Sequence, residues 1–493
     1  MLRSRFYSGL IACCMLVTHA TSADQAIIIG GGYNLQGSQG QIELNVRWVQ
    51  DIIKQTNMPV TTFFTDGDAP APDVHYYHVG SEDLTPGAID DQARQLEPVA
   101  RLFNNHIQNQ QRFRNHEVED VLGSTRADNL STSLIDIFSA APNDPNLIVY
   151  NGHGKQSKTS VDQVTLELWD NTQLTAEELH GILDNSNAPT RFVFTQCYSG
   201  GFHRLAYKDP GSGLELASQT RCGFTAESAY RLAEGCSASI ESDDYRDYTT
   251  FFFAALNGYD RAGEILPVDT DTDKNGEVGL REAHLYTLEN AYSTDLSRST
   301  SEDYLTTWQP WYLQWIADTS GLPSNEYAKL FRSVATKYGI ELTDHPSKKI
   351  RSMIKADNQN LATFSTRRLE LREELRQIQH SMVNAAADSW PALSGPYTAA
   401  FQSLAASGEM LSVAQWIAEQ PDYQRIIALQ NEDAQLSEDM LDAERHLTQM
   451  QKLMHFRKLS RLKHQLYQYG SQSDISGYET LVECESQPLV FDQ

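Results

Sequence analysis

The chain has 493 residues, 39 of them Lys or Arg and 65 Asp or Glu, giving a formal charge of −26 with 40% apolar residues. This composition excludes a disordered polymer, a collagen and a small disulfide-knit scaffold. The length predicts two or three domains at roughly 100–200 residues each, and the acid excess argues against a nucleic-acid partner, because phosphate backbones are held by Lys and Arg.

The first segment reads as a targeting element. Arg3 and Arg5 precede an apolar run from Gly9 to Val17, and the small residues Thr21, Ser22 and Ala23 follow. That is the order of a cleavable secretory signal over residues 1–23, so the mature protein is expected to start near Asp24 and to be secreted or periplasmic. Losing the two arginines would take its charge to about −28. Leu10-Ile11-Ala12-Cys13 fails as a lipid-attachment box because its apolar run is short and continues past the Cys. No later stretch reaches the roughly 20 apolar residues of a membrane span.

From residue 25 to about 260, short β-branched or aromatic runs alternate with helical patterns, which predicts an α/β fold with a mostly parallel sheet flanked by helices. Ala26–Ile29 is the first expected strand, ended by Gly30-Gly31-Gly32. The apolar stripe of Ile42, Leu44, Val46, Val49, Ile52 and Ile53 predicts a helix over Gln41–Lys54. A second strand is expected over Val60–Phe64, and a helix from Asp90 to about Asn109. A further helix is expected over Leu130–Ala140, and a buried strand over Leu147–Tyr150. Thr175 and Glu178 stand in capping-box spacing at the start of a helix running to Asp184, and Phe192–Thr195 is the next strand. Gly30–Gly32 lack the later glycine of a dinucleotide-binding loop, and His75 and His78 have no second pair of metal ligands nearby, so neither is read as a site.

Two segments share one grammar. Leu147-Ile148-Val149-Tyr150 runs into Asn151-Gly152-His153-Gly154, and Phe192-Val193-Phe194-Thr195 runs into Gln196-Cys197-Tyr198-Ser199-Gly200-Gly201. Functional groups of a parallel α/β sheet collect at the carboxyl ends of its strands, so His153 and Cys197 are expected at one edge. A thiolate attacks, and an imidazole beside it takes the thiol proton and returns it to the leaving amine. The N–H groups of Gly154 and Cys197 are candidate oxyanion donors.

These two motifs resemble those of the caspase-haemoglobinase clan of cysteine peptidases, most closely legumain-type enzymes and their bacterial relatives, over residues 25 to 260. The resemblance implies a caspase-like catalytic domain (24–262) acting on protein or peptide substrates. It makes Asn34 the residue that orients the His. It likens Cys222–Ser228 to the strand that builds the P1 wall, and Asp247–Phe251 to the helix after it. Glu227, Ser228 and Asp247 thereby become candidate substrate-binding residues, and Glu227, Asp243, Asp244 and Asp247 could line a pocket for Arg or Lys. The sequence departs from the family where Leu35-Gln36-Gly37 replaces a basic pair and where Tyr198 replaces an acid after the Cys, which puts strict asparaginyl specificity in doubt.

Residues 263–300 carry a second constellation. Asp271, Asp273 and Asn275 stand at positions 1, 3 and 5 of a loop, Gly276 at 6, the carbonyl of Glu277 at 7 and Glu282 at 12, the ligand order of an EF-hand-type Ca2+ loop. Pro267 argues against an entering helix, so a single structural loop with an exiting helix is expected.

The remainder (301–493) reads as an all-α region, with long helices over Thr366–Ala386 and Glu432–Gln468. Leu436, Met440, Ala443, Leu447, Met450 and Met454 recur at coiled-coil spacing. The basic cluster Lys452, Arg457, Lys458, Arg461 and Lys463 is either a solvated face or a partner for Glu370, Glu373 and Glu374. The family resemblance implies that these helices cap the active site of a proenzyme. Cysteine usage completes the reading: if Cys197 stays free, one disulfide is expected, Cys222 with Cys236, leaving Cys484 unpaired. Two alternatives stay open: a transpeptidase or ligase of the same fold, and a non-catalytic scaffold that binds a partner through its C-terminal helices.

Overall fold

A computed structural model describes residues 24–77, 94–105, 111–157, 163–209, 213–242, 245–315, 322–342, 346–395 and 398–489. The expected signal segment, part of the helix expected over 90–109, His78, Asp243 and Asp244 lie outside them.

The strands are β1 (Gln25–Gly31), β2 (Val60–Phe64), β3 (Val74–Tyr76), β4 (Arg112–Arg114), β5 (Val121–Gly123), β6 (Asn146–Gln156), β7 (Val164–Leu168), β8 (Thr172–Thr175), β9 (Thr190–Phe194), β10 (Arg221–Thr225) and β11 (Arg298–Ser299). The main sheet runs β11-β10-β9-β6-β1-β2-β5. It is parallel from β5 to β10, with β11 antiparallel at the edge. The fold is therefore α/β with a mostly parallel central sheet. Alternation along the strands explains both faces. Ala26, Ile28, Leu147, Val149, Val193 and Phe224 pack under the helices Gly40–Ile53 and Tyr248–Asn257. Ile27, Ile29, Ile148, Tyr150, Phe192 and Phe194 pack under Ala127–Ala140 and Ala176–Leu183. Burial on both faces makes these strands nearly continuous apolar runs. The capping box holds, with Glu178 N donating to Thr175 Oγ1 at 3.0 Å and Thr175 N to Glu178 Oε2 at 2.8 Å.

β1 is where the chain reverses its direction of travel across the sheet, to β2 and β5 on one side and to β6, β9 and β10 on the other. Such a switch point opens a crevice at the carboxyl ends of the strands. β6 is longer than expected. Beyond Gly152 it leaves the parallel sheet and pairs antiparallel with β7, His153 opposite Glu167, so His153 lies on strand rather than in a loop.

The C-terminal region is helical, and its two long helices start earlier than their apolar patterns suggest. Helices Pro346–Ala387 and Pro421–Tyr469 run antiparallel, as the pairings Asp357–His446 (2.9 Å), Arg367–Glu432 (2.6 Å) and Glu374–Arg425 (2.5 Å) show. The expected seam from Leu436 to Leu447 is only half-buried, whereas Leu453, Phe456, Leu459, Leu462 and Leu466 are fully buried against residues from 304 to 350 and 478 to 484. At the far end the cluster includes Leu102, from the short helix Glu97–Leu102, so the sheet region also reaches the tip of the hairpin. Of the two readings left open for the basic cluster, pairing with Glu370, Glu373 and Glu374 does not form among the described residues. Those acids pair with Arg367, Arg376 and Arg425, because the antiparallel register sets residues 452–463 opposite the other end of the partner helix. Lys463 instead meets Glu326 at 2.8 Å, and Lys452 donates to the Ala291 carbonyl at 3.0 Å.

The expected Cys222–Cys236 bridge is also replaced. Cys222 joins Cys484, at the end of the last helix (Gln472–Glu485), with a Cα–Cα distance of 6.1 Å. Cys222 is the second residue of β10, near its amino end and buried in the core, whereas Cys236 lies at the carboxyl edge of the sheet. Cys236 stays a free thiol, its sulfur 3.7 Å from His153 Nδ1. Among the described residues no helix is long and apolar enough to cross a membrane.

Candidate active site

β6 and β9 pair with Tyr150 opposite Phe194. The pairing ends there, and His153 and Cys197 each follow it by three residues, at the same carboxyl edge of two adjacent strands. Gly154 lies against the nucleophile segment: a Cβ on it would stand 2.3 Å from the Cys197 carbonyl oxygen. Only glycine allows that approach. Tyr198 follows at φ 60°, in the left-handed region, and the chain turns at once into a 3-10 helix, Ser199–Ala206. Cys197 therefore sits on a sharp strand-to-helix turn.

The His153 ring is fixed by groups that sequence reasoning did not identify. Its Nε2 lies 2.8 Å from the Gly37 carbonyl and 2.8 Å from Gln39 Oε1. Both are acceptors, so the proton belongs on Nε2 and the lone pair on Nδ1. Tyr33 packs edge-on at 5.3 Å between ring centroids. Asn34 does not orient the ring: its Oδ1 accepts from the N–H groups of Gln36 and Gly37 at 3.0 Å, and its Nδ2 donates to Asn171. Its contribution is to shape the loop that presents the Gly37 carbonyl. Gln39 carried no sequence signal, since only the tertiary fold brings the loop after β1 to His153.

His153 Nδ1 faces the Cys236 sulfur at 3.7 Å. The Cys197 thiol is turned to the segment after β10, with Ala233 N–H donating to its sulfur at 3.3 Å and the Ala233 carbonyl at 3.9 Å. Cys197 and Cys236 are both free thiols. Burial holds the His153 imidazole below its ordinary value, opposed by the Gly37 carbonyl. Burial raises the Cys197 thiol, opposed by the Ala233 hydrogen bond. Both shifts favour the neutral forms of thiol and imidazole.

The segment 229–236 crosses the site and is anchored to the long C-terminal helix. Tyr198 N–H donates to the Arg231 carbonyl at 2.9 Å. The Arg231 side chain reaches Gln451 at 2.6 Å and Thr448 at 3.2 Å, and Glu234 pairs with Arg445. Glu227 does not face an open pocket. It is fully buried, accepts from the Ser228 and Leu296 N–H groups at 2.7 and 3.0 Å, and lies 3.5 Å from Arg231. Asp247 is equally engaged, accepting from Asn45 and Thr250 at 2.6 Å each. Ser228 is half-buried and borders a cavity of about 700 Å³ shared with Gly200, Gly201, Arg204 and Arg298.

The acidic loop follows the helix Tyr248–Asn257, whose Ala255 carbonyl accepts from the Thr270 hydroxyl at 2.9 Å. Carboxylate oxygens of Asp271, Asp273 and Glu282 come within 4.8 Å of one another. Asp271 accepts from the Asn275 and Gly276 N–H groups, and Asn275 Oδ1 from Glu277 N–H. Gly276 makes the turn at φ +94°. Glu282 caps the exiting helix Leu280–Asn290 through Gly279 N–H at 2.9 Å and reaches back to Thr272 N–H at 2.6 Å. The segment before Asp271 is not helical. Comparison of the chain with protein-family models and with curated proteins returns no match.

Proposed function

We propose that the chain is an exported cysteine peptidase of the caspase-haemoglobinase clan, legumain-like, acting on protein or peptide substrates. The observation that carries this reading is that His153 and Cys197 follow adjacent parallel strands at their carboxyl ends, with Gly154 packed against the Cys197 carbonyl, next to the topological switch point. In the proposed reaction His153 Nδ1 takes the Cys197 thiol proton and the thiolate attacks the scissile carbonyl carbon. The Gly154 and Cys197 N–H groups receive the developing oxyanion. The imidazolium then protonates the amine as the C–N bond breaks, leaving a thioester, which water hydrolyses with His153 as base. Gln39 and the Gly37 carbonyl act as positioning groups, keeping the Nε2–H tautomer.

The present conformation supports a covered resting state. Segment 229–236 holds the Cys197 sulfur at Ala233 and interposes Cys236 before His153, so a substrate must displace it. The C-terminal helix would then restrain the site indirectly, through Arg445–Glu234 and Gln451–Arg231. The Cys222–Cys484 bridge supports an oxidising compartment.

The acidic loop supports one structural Ca2+. Its donor set fits a hard cation: three convergent carboxylates, with the Asn275 side-chain oxygen and the Glu277 carbonyl completing an oxygen-only set. Bound calcium would tie the end of the sheet domain to the helix Leu280–Asn290. Incubation of the protein with a mixed peptide pool and mass spectrometry of the products tests the peptidase reading. Cleavage that disappears in both Cys197→Ala and His153→Ala is expected, and cleavage that survives either substitution refutes it.

A further inference from the structure

One thiol at the site has no task in the proposed reaction. Cys236 places its sulfur 3.7 Å from His153 Nδ1, the nitrogen that would serve Cys197. The residue is exposed, while its sulfur turns to the half-buried imidazole ring. Three residues earlier on the same segment, Ala233 N–H holds the Cys197 sulfur at 3.3 Å. Both free thiols therefore meet the segment 233–236, one through Ala233 and one as its own residue.

The backbone and the thiol chemistry both favour joining them. Residues 232–236 have no regular secondary structure, and Gly235, directly before Cys236, stands at φ +127°, a state that side-chain-bearing residues rarely adopt. A rotation at this glycine redirects Cys236 while its flanks stay fixed, Glu234 by Arg445 and Ser237 by its N–H to Gln41 Oε1 at 2.9 Å. Packing around the Cys236 sulfur, and next the charge of Cys197, raises the Cys236 thiol. Burial, opposed by the Ala233 hydrogen bond, raises the Cys197 thiol. A stabilised thiolate makes a bridge easy to reduce, and thiols that ionise reluctantly do the opposite.

We propose that Cys236 and Cys197 form a reversible disulfide that closes the site in oxidising surroundings. The oxidant is a low-molecular-weight disulfide, RSSR. His153 Nδ1 takes the Cys236 proton, and the thiolate attacks one sulfur of RSSR. That S–S bond breaks, leaving a Cys236–SR mixed disulfide and RS−, which recovers the proton as RSH. Cys197, as its thiolate, then attacks the Cys236 sulfur, the Cys236–SR bond breaks, and a second RSH leaves. The two protein thiols lose two electrons, and RSSR is reduced to two RSH. An added dithiol reverses the sequence and frees the nucleophile. Loss of cleavage on bridging rests on the peptidase reading above, whereas formation of the bridge does not.

The test starts from the full chain with both thiols free. It is equilibrated in glutathione buffers from fully reduced to fully oxidised and mapped by non-reducing tandem mass spectrometry, with peptide cleavage measured on the same samples. A cross-linked peptide joining Cys197 to Cys236 is expected, with both free thiols lost in step and an at least ten-fold drop in cleavage that dithiothreitol restores. In Cys236→Ser, oxidation should leave Cys197 carrying one glutathione in place of the bridge. Separate glutathione adducts on the two cysteines of the parent, retention of both thiols in fully oxidised buffer, or pairing of Cys236 with Cys222 or Cys484 would overturn the latch. A Cys197–Cys236 bridge in a protein that cleaves no peptide in reductant would refute the peptidase reading and leave the bridge standing. Cleavage in reductant with no bridge at any glutathione ratio would do the reverse.

Discussion

Removing the cross-link between sheet and helices gives a quantitative test of how the two regions are joined. Cys222 and Cys484 are 262 residues apart. For a loop of that size the chain-entropy relation gives about 5–6 kcal/mol of stabilisation through the unfolded state, and native bridges generally return about 2–5. The folded state itself should survive in Cys484→Ala, because the last helix has other anchors. Glu485 is fully buried, with its oxygens on the Ser301 N–H (2.6 Å), the Thr300 hydroxyl (2.8 Å) and Arg281 (2.7 Å). The expected loss is therefore about 3–5 kcal/mol, read by urea unfolding with Trp fluorescence and far-UV circular dichroism in parallel, so that departure from a single transition is visible. A thiol titration in denaturant without reductant, on the chain from Asp24 onward, should find two free thiols, Cys197 and Cys236. Four free thiols, or a loss below about 1 kcal/mol, would refute the proposed link.

Three further outcomes follow from single residues. Asp66 is pushed up to about 6 by burial and by neighbouring Asp73, with His116 opposing. An acid raised on folding stabilises below its unfolded value near 4 and loses that contribution as pH rises through 6. Asp66→Asn should thus gain melting temperature relative to the parent above pH 6, and no pH-dependent difference would contradict the assignment. Calcium should raise the melting temperature of the parent, by the equivalent of about 2.7 kcal/mol at a hundred-fold excess over Kd, and Asp271→Asn or Glu282→Gln should abolish the rise. Gln39→Ala should lower kcat roughly ten-fold, the worth of one buried hydrogen bond of about 1.4 kcal/mol, with KM little changed. Asn34→Ala should leave kcat close to the parent, and the reverse order would restore Asn34 as the orienting group.

What was legible in the sequence was local. The two strands ahead of His153 and Cys197 and the capping box at Thr175 form as their local patterns imply, and the carboxylates of Asp271, Asp273 and Glu282 come within 4.8 Å of one another. What failed depended on long-range register. Gln39 reaches His153 only because β1 and β6 are neighbours in the sheet. Cys222 finds Cys484 because the last helix returns to the amino end of β10, which no cysteine spacing encodes. The acids expected opposite Arg457 and Lys458 were assigned without knowing where the helix hairpin pairs. The long helices begin at Pro346 and Pro421, and proline in the first turn is a start signal that the apolar periodicity used to delimit them does not contain. Glu227 and Asp247 read as pocket acids through the family resemblance, yet their partners Arg231, Leu296 and Asn45 engage their oxygens.

The central claim is that Cys197, served by His153, is the nucleophile, although Cys236 is the sulfur nearer the imidazole in this conformation. The most direct measurement is treatment with peptidyl acyloxymethyl ketones bearing Arg, Asn, Asp or Leu at P1. It is run with calcium, before and after limited proteolysis, and the adduct is mapped by tandem mass spectrometry. The account expects the adduct on Cys197, absent in Cys197→Ala and His153→Ala and retained in Cys236→Ala. An adduct on Cys236 alone, or none on either thiol in any form of the protein, would contradict it.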